Sequence, residues 1–442
     1  MLIGRDDKSR PTPSSPLLAD RLTYPEALDF LSRQGRFAMK LGTERTRAIL
    51  DRLGAPDRKL SGALIAGTNG KGSTGACLTS ILRAAGHSVG FMPKPHLISY
   101  TERIEINGRP ISEDEFVHTL GDLLPTLDEI AAEMGPATEF EMLTAMAVMF
   151  LAPRVDRLVC EVGLGGRLDA TNALDLGVTA ITNVDLDHQK YLGDTIGQIA
   201  HEKAAIIKDG NRAVTGCEGE ALQIVEAQAA RVSAQLWRLE REVSIESTSL
   251  GWDGHVLSVT GPGFVHRDLR LPLVGDYQPA NAALAVAAAH LLDAVTDDQV
   301  RAGLASTRWP GRLEVIAEHP RVILDGGHNS AAMVKAGAAL RRLIGQERLV
   351  AVFAMLSERD PVQLLAALRT LKPEAVVFTE PASAQGHVIA PERLAAEYGA
   401  GALVARPAGE ALERARKLAG TAGNVLVCGS IYLVGEILAL RD

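Results

Sequence analysis

The sequence predicts an α/β protein with mostly parallel sheets, divided into two domains. Two observations predict this class: short β-branched segments alternate with segments rich in alanine and leucine, and the alternation starts again after residue 308. The length of 442 residues corresponds to about two or three domains. We therefore predict a tail over residues 1–20, an N-terminal domain over residues 21–308 and a smaller C-terminal domain over residues 309–442.

The elements of the N-terminal domain follow from its β-branched segments. These segments predict strands at residues 63–66, 87–91, 157–162 and 177–184. Helices are predicted from the glycine-rich turn after the first strand to residue 83, and at residues 143–150, 195–208 and 280–292. Alternating residues over 237–274 predict antiparallel hairpins instead.

The C-terminal domain repeats the same rhythm on a smaller scale. Strands are predicted at residues 322–324, 349–353, 375–379 and 425–428, with helices between them. A turn-rich segment, Thr-Arg-Trp-Pro-Gly at residues 307–311, marks the predicted boundary between the domains.

The composition excludes several classes of protein. Hydrophobic residues make up 46% and charged residues 23%, which is ordinary globular usage rather than that of a disordered or fibrous chain. The balance of 46 Lys and Arg against 54 Asp and Glu gives a net charge of −8, without a basic block. Binding to nucleic acid or to a membrane surface is therefore not expected. No apolar run approaches the ~20 residues that a membrane span needs.

The cysteines indicate a reducing compartment. They stand at positions 77, 160, 217 and 428, without a Cys-x-x-Cys pair. This spacing predicts neither a zinc site nor a disulfide framework, so a cytoplasmic location is expected. The first 20 residues contain no apolar segment of the kind that a signal peptide requires.

A glycine-rich motif after the first predicted strand is the strongest local signal. Its sequence is Gly-Thr-Asn-Gly-Lys-Gly-Ser-Thr at residues 67–74, and a predicted helix follows. Glycines allow backbone N–H groups to surround phosphate oxygens, and a lysine adds a point charge. An ordinary strand-to-helix turn is the alternative. The predicted phosphate-binding residues are Gly67, Thr68, Asn69, Gly70, Lys71, Gly72 and Ser73, although Gly72 occupies the place where a Ser or Thr normally binds magnesium.

Three more motifs follow predicted strands. Glu161 ends one strand, where a carboxylate suits Mg²⁺ beside phosphates, and a structural ion pair is the alternative. The sequence Asp-Leu-Asp-His at residues 185–188 follows the next strand, with Lys203 fifteen residues further on. The sequence Asp-Gly-Gly-His-Asn at residues 325–329 follows the first strand of the second domain and suggests either close approach to a ligand or a helix cap.

Taken together, these motifs resemble those of folylpolyglutamate synthases and dihydrofolate synthases, within the muramyl-ligase superfamily. The resemblance runs from about residue 24 to residue 440 and includes Pro-His-Leu at 95–97 and Thr-Glu-Arg-Ile at 101–104. It implies a phosphate-loop ATPase domain and a Rossmann-like C-terminal domain, with catalysis in the cleft between them. The implied reaction joins L-glutamate to a folate or to dihydropteroate, with ATP cleaved to ADP and phosphate.

The resemblance also implies roles for individual residues. Lys71, Lys203 and His328 would take part in catalysis, with His328 and Ser430 near the incoming glutamate. Two Mg²⁺ sites would use Glu161, His188 and a carbamate formed from CO₂ on Lys203. ATP would contact Asn281, Arg312 and Asp325. The residues implied to line the pterin site are Lys40, Leu41, Gly42, Phe140, Glu141, Leu168, Asp169 and Ala170. Residues 138–141 are equally compatible with a helix cap.

One position departs from the family pattern. Lys94 stands where the family has a serine whose hydroxyl binds the first magnesium. We predict that Lys94 faces the nucleotide phosphates and replaces part of the positive charge of the first magnesium ion. A lysine that reaches solvent is the alternative. Ser73 or water would then complete the metal shell.

The leading functional prediction is a monomeric, bifunctional ligase of small-molecule substrates. The alternatives are a folylpolyglutamate synthase alone, a muramyl-peptide ligase and an ATP-binding switch without turnover. The muramyl alternative requires a nucleotide-sugar domain, and only about 60 residues precede the phosphate loop.

Overall fold

Two α/β units follow each other along the chain in this computed structural model, which describes residues 22–35, 42–357, 359–384 and 386–441. The tail predicted at residues 1–20, and Lys40 and Leu41 of the predicted pterin site, lie outside the described residues. The α/β class predicted from the sequence is confirmed. Within the described part, no helix combines the length and the apolar character that a membrane crossing requires.

The first unit contains ten of the helices described here and eleven strands. Its helices are α1 (Tyr24–Gly35), α2 (Glu44–Arg52), α3 (Lys71–Ala84), α4 (Glu113–Met134), α5 (Glu139–Leu151), α6 (Gln189–Leu192), α7 (Ile196–Ala204), α8 (Gly219–Arg231), α9 (Gln278–Leu292) and α10 (Asp297–Ser306). Its strands are β1 (Gly62–Ala66), β2 (Val89–Met92), β3 (Glu105–Ile106), β4 (Arg109–Pro110), β5 (Arg157–Glu161), β6 (Gly177–Ile181), β7 (Arg212–Thr215), β8 (Gln235–Arg238), β9 (Ser244–Ser249), β10 (His255–Gly261) and β11 (Phe264–Leu271).

These strands form two sheets. The larger has the order β4-β3-β2-β5-β1-β6-β7-β8. Its six strands β2, β5, β1, β6, β7 and β8 are parallel to one another. The smaller has the order β11-β10-β9 and is antiparallel, so the hairpins predicted over residues 237–274 are confirmed for β9 to β11. β8, at the start of that segment, extends the parallel sheet instead.

The second unit is a six-stranded sheet with helices on its faces. Its strands are β12 (Arg312–Glu318), β13 (Arg321–Asp325), β14 (Leu349–Phe353), β15 (Ala375–Phe378), β16 (Ala402–Val404) and β17 (Asn424–Cys428). Its helices are α11 (Ser330–Ile344), α12 (Pro361–Thr370), α13 (Pro391–Tyr398), α14 (Ala408–Ala419) and α15 (Ile431–Ala439). The order is β12-β13-β17-β14-β15-β16, and only β12 runs antiparallel to its neighbour. The predicted division at residue 308 falls between α10 and β12.

Both faces of each parallel sheet are covered, which explains why its strands are continuously apolar. Successive residues of β1 point to opposite faces, so Ala63 and Ile65 join one apolar cluster, and Leu64 and Ala66 join the other. The alanine-rich helix α9 packs closely on the first of these faces, against α3. This double cover leaves the carboxyl ends of β1, β5 and β6 as a shared edge for the loops that follow them.

Candidate active site

The loop after β1 is shaped by glycines that admit no side chain. Gly70 has a left-handed backbone with φ 85°, and a Cβ there would lie 2.3 Å from Asn281 Oδ1. At Gly67, with φ 151°, a Cβ would lie 1.8 Å from Thr182 Oγ1. Helix α3 begins at Lys71, directly after the loop. The loop therefore leads through a left-handed glycine directly into a helix N-terminus, an arrangement that binds phosphate.

Residues that follow β6 hold this loop in place. Asn69 N donates to Asn183 Oδ1 at 3.0 Å, and Asn183 Nδ2 donates back to Asn69 O at 2.9 Å. Thr182 Oγ1 adds a bond to the same carbonyl at 2.6 Å. These bonds tie the loop after β1 to the residues that follow the neighbouring strand β6.

Gly72 is required by the segment that joins the two units. A Cβ at this position would lie 2.4 Å from Trp309 Cζ2. The indole in turn packs on Phe91, with ring centroids 5.7 Å apart. This contact gives a steric reason for the absence of the usual hydroxyl residue at position 72. The next residue, Ser73, is buried in the first turn of α3.

We expect Gly72→Ala to lower the free energy of unfolding by about 1–3 kcal/mol, the usual cost of overpacking. In a Trp309→Ala background the same change is expected to stabilise α3 by up to about 1 kcal/mol, since alanine is the better helix former. Urea unfolding of the wild type, the two single variants and the double variant measures the effect of Gly72→Ala on the free energy of unfolding in each background. Equal effects of Gly72→Ala in both backgrounds would contradict the steric explanation.

The ammonium of Lys71 lies between the phosphate loop and Glu161. Its Nζ donates to Gly67 O at 3.1 Å and to Thr68 O at 3.3 Å, and lies 3.9 Å from Glu161 Oε1. The other carboxylate oxygen, Oε2, accepts a bond from Lys94 N at 3.0 Å. Burial raises the pKa of Glu161, and the charge of Lys71 opposes this shift. A carboxylate at the end of β5 thus lies beside the loop, as the sequence predicts.

Lys203 reaches the same loop from α7. Its buried Nζ donates to Gly67 O at 3.1 Å. Burial, and then the nearby charge of Lys71, lower the pKa of Lys203 to about 7. The site therefore stabilises the neutral form of this amine, which is the form that reacts with CO₂.

Side chains of the second unit bind those that follow β6. Asn329 Nδ2 donates to Asp187 Oδ2 at 2.9 Å and to Asn69 Oδ1 at 3.1 Å. The guanidinium of Arg359 forms an ion pair with Asp187, and its Nη2 lies 3.2 Å from His188 Nε2. Asn329 belongs to a motif that the sequence singles out. Arg359 does not, because an isolated arginine in a loop carries no signal.

The start of the second unit contributes three predicted residues. Asp325 is buried and accepts bonds from Gly327 N at 2.9 Å and from Leu313 N at 3.2 Å, so its carboxylate also shapes the turn. Burial raises the pKa of Asp325, and the neighbouring charge of Arg312 opposes this shift. Burial and the positive charge of Arg359 lower the pKa of His328 to about 4, so its imidazole is neutral at pH 7.

These groups line one cavity of about 420 Å³ between the two units. The predicted residues that line it are Gly67, Thr68, Asn69, Gly70, Lys71, Gly72, Ser73, Phe140, Glu161, His188, Lys203, Asn281, Arg312, Asp325, His328 and Ser430. Five predicted pterin-site residues are not among those that line it: Gly42, Glu141, Leu168, Asp169 and Ala170. The structure thus brings most of the predicted site together, while the role of each residue stays a prediction.

The carboxylates of Glu141 and Asp169 are engaged within the protein. Glu141 closes a capping box with Thr138, and its Oε2 accepts a bond from the buried Arg45 at 2.9 Å. Asp169 accepts bonds from Thr171 N at 3.0 Å and from Leu164 N at 2.9 Å. The helix-cap alternative therefore describes residues 138–141, and the assignment of Glu141 to the pterin site stays a prediction.

A stability test separates the two roles of Glu141. We expect Glu141→Ala to lower the free energy of unfolding by about 3–5 kcal/mol, because it leaves Arg45 buried without its partner. The matched control is Glu115→Ala, which opens an exposed capping box with Ser112. That change is expected to cost about 1 kcal/mol. Urea denaturation measures both, and equal losses would contradict a structural role for the buried ion pair.

The side chain of Lys94 packs on the ring of Phe140. Its backbone N–H is bound to Glu161, and its Nζ lies 3.5 Å from the centroid of the Phe140 ring. The Nζ is inaccessible to solvent and has no hydrogen-bond partner among the described residues. Burial lowers the pKa of Lys94, and the carboxylate of Asp169 opposes this shift. Lys94 lines the same cavity as the phosphate loop, and its role toward the nucleotide phosphates stays a prediction.

The donors available for magnesium are few. In the part of the chain that the structure describes, no group of three or more His, Cys, Asp or Glu side chains could hold a metal ion. Mg²⁺ is commonly held by one or two carboxylates together with phosphate oxygens and water. Glu161, beside the phosphate loop, fits that pattern. The Nε2 of His188 lies 3.2 Å from Arg359 Nη2, and the role of His188 as a metal ligand stays a prediction.

The fold and this site define an ATP-dependent ligase: a phosphate-binding loop faces a second α/β unit across a cavity. Residues 65–289 match the Mur ligase middle domain, and residues 311–431 match the Mur ligase glutamate ligase domain. The chain belongs to the family of dihydrofolate synthases and folylpolyglutamate synthases within the Mur ligases. The resemblance stated from the motifs is confirmed.

Two relatives and two solved structures illustrate this likeness. The dihydrofolate synthase/folylpolyglutamate synthase of Bacillus subtilis is 36% identical over 79% of this chain and 83% of its own length. That of Escherichia coli is 33% identical over 98% of each chain. Folylpolyglutamate synthase of Mycobacterium tuberculosis with ADP and AMPPCP superposes with a TM-score of 0.88, 31% identity and coverage of 96% and 99%. The Escherichia coli protein FolC with DHPP and ADP superposes with a TM-score of 0.86 and is 30% identical. The match covers 95% of this chain and 98% of that one.

Proposed function

We propose that this protein joins the amine of L-glutamate to the carboxylate of folates and of dihydropteroate, with ATP as the energy source. The observation that carries the proposal is the cavity between the units, where the phosphate loop, Lys71 and Glu161 face His328 and Arg312. The bifunctional names of the Bacillus subtilis and Escherichia coli relatives support both acceptors.

The chemistry explains why these side chains lie together. An acceptor carboxylate oxygen bonds to the γ-phosphorus of ATP while the bond from that phosphorus to the β–γ bridging oxygen breaks, which releases ADP. The glutamate amine then attacks the carbonyl carbon of the acyl phosphate, phosphate leaves, and the amine loses a proton. Both steps depend on positioning and on neutralised phosphate charge. Lys71 and the loop amides would neutralise the negative charge of the phosphates. Asn281, Arg312 and Asp325 would contact the nucleotide.

Magnesium and the second substrate complete the proposal. Glu161 would hold a first Mg²⁺ together with nucleotide phosphates, and His188 with a carbamate on Lys203 would hold a second. When bound, Mg²⁺ neutralises charge on the transferred phosphoryl group. His328 and Ser430, whose buried Oγ has no partner among the described residues, would bind the incoming glutamate.

We propose a cytoplasmic location. The four cysteines are free and buried, which suits the reducing cytoplasm. We further propose that the protein acts as a monomer on small molecules, without nucleic acid or membrane partners. Size-exclusion chromatography with light scattering would test the oligomeric state.

One assay tests the proposed reaction and its alternative. ADP release is measured with L-glutamate and ATP, plus either dihydropteroate or tetrahydrofolate. Turnover with both acceptors is the expected result. Turnover with tetrahydrofolate alone would indicate a folylpolyglutamate synthase without the second activity, and turnover with neither would contradict the proposal.

A further inference from the structure

Two positive side chains share one wall of the cavity without a carboxylate partner. Lys94 and Arg103 both line it, and neither forms an ion pair among the described residues. The Nζ of Lys94 is inaccessible to solvent and unbonded. Arg103 donates from Nε to His96 Nδ1 at 2.8 Å, and its guanidinium carbon lies 4.7 Å from the centroid of the Tyr100 ring.

The acids near these two cations are already engaged. Glu161 is bound to Lys94 N and lies near Lys71, and Asp169 is bound to Thr171 and Leu164. Glu102 accepts three backbone N–H groups, from Leu97, Ile98 and Ser99. A buried cation without a partner is costly, and two neighbouring like charges add repulsion. An anion that enters the cavity between Lys94 and Arg103 would lower both the cost of the unpaired buried charge and the repulsion between the two cations.

We propose that Lys94 and Arg103 form a binding subsite for the carboxylate of the acyl acceptor, the group that ATP phosphorylates. This inference rests on the proposed function. The ring of Phe140, 3.5 Å from Lys94 Nζ, gives the subsite an aromatic wall that suits the benzoyl group to which that carboxylate is attached in dihydropteroate.

The position of Glu161 links this subsite to the phosphate loop. Its Oε1 lies 3.9 Å from Lys71 Nζ, and its Oε2 accepts the backbone N–H of Lys94. Lys94 and Lys71 line the same cavity, so a carboxylate held by Lys94 and phosphates held by Lys71 would share that space. Phosphorylation brings two anions together, and a cation at the carboxylate lowers their repulsion. No proton is transferred by either side chain in this step.

The test compares an acid with its uncharged analogue. Calorimetry with ADP-saturated enzyme, without L-glutamate, measures the Kd of dihydropteroate and of its carboxamide. Lys94→Met keeps the length of the side chain and removes the charge. We expect it to raise the Kd of the acid about 10- to 100-fold, which corresponds to the usual contribution of a hydrogen bond to a charged group. The Kd of the amide should stay unchanged.

Two further variants and a control complete the design. Arg103→Gln is expected to weaken binding of the acid selectively, and Lys94→Arg is expected to retain most of the preference for the acid. The matched control is Lys208→Met, which removes another buried ammonium, one that donates to Leu174 O outside the cavity. Its ligand affinities should match those of the wild type.

The possible outcomes separate the subsite from the proposed function. Unchanged preference for the acid in both Lys94→Met and Arg103→Gln, with both ligands still bound, would overturn the subsite alone. Weaker ADP binding by Lys94→Met, with acid binding intact, would also overturn it and assign Lys94 to the phosphates. Failure of the wild-type protein to bind either ligand would overturn the proposed function, and the subsite with it.

Discussion

Replacement of Lys71 by methionine is expected to lower the turnover number at least about 10³-fold while the protein stays folded. Among the described residues, the Nζ of Lys71 donates to the carbonyl oxygens of Gly67 and Thr68, and the oxygen of Gly67 also accepts a bond from Lys203 Nζ. The lost charge, in contrast, is the one placed between the phosphate loop and Glu161. Its loss should therefore affect phosphoryl transfer much more than folding.

The measurement combines ADP release at saturating substrates with thermal unfolding. The control variant is Lys59→Met, which removes an exposed lysine that does not line the cavity. We expect that variant to match the wild type in both measurements. A Lys71→Met protein with a near-normal rate, or one that is unfolded at the assay temperature, would refute the separation of catalysis from folding.

The parts of the site that the sequence predicts well are local in the chain. The phosphate loop directly follows β1, Glu161 ends β5, and the motif at residues 185–188 lies in the loop after β6. Parallel strands place their carboxyl ends at one edge of a sheet. Their assembly therefore follows once β1, β5 and β6 are recognised as neighbours. Element boundaries are less well predicted: α7 ends at Ala204, four residues before the predicted end of that helix.

The parts that the sequence does not predict depend on long-range contacts. Arg359 meets Asp187 from 172 residues further along the chain. Trp309 lies over Gly72 from the segment between the units. Lys94 Nζ packs on the ring of Phe140, 46 residues further along the chain, a contact that its own segment does not reveal. Glu141 could be assigned to a substrate because nothing in its own segment reveals Arg45, 96 residues earlier.

Lys203 is the second residue whose loss should have a large effect. Its buried Nζ lies at Gly67 O, and burial together with the charge of Lys71 lowers its pKa to about 7. A substantial neutral fraction is thus available to add CO₂, which forms an N–C bond and releases a proton. The resulting carbamate would place a negative charge beside Lys71 and remove the repulsion between two ammonium groups. It would also supply the oxygen donors that Mg²⁺ prefers.

We expect Lys203→Ala to lower turnover about 10²–10³-fold, with partial rescue by acetate, which can occupy the space of the carbamate. In the wild type, [¹³C]bicarbonate should give a carbamate resonance in the NMR spectrum, and removal of CO₂ should lower the rate. The matched control is Lys208→Ala: burial lowers the pKa of that lysine to about 8, but it lies outside the cavity. Lys208→Ala should retain both the resonance and the CO₂ dependence, because neither depends on burial alone. A wild-type enzyme with full activity in CO₂-free buffer and no carbamate resonance would leave Lys203 an amine that only supports the phosphate loop.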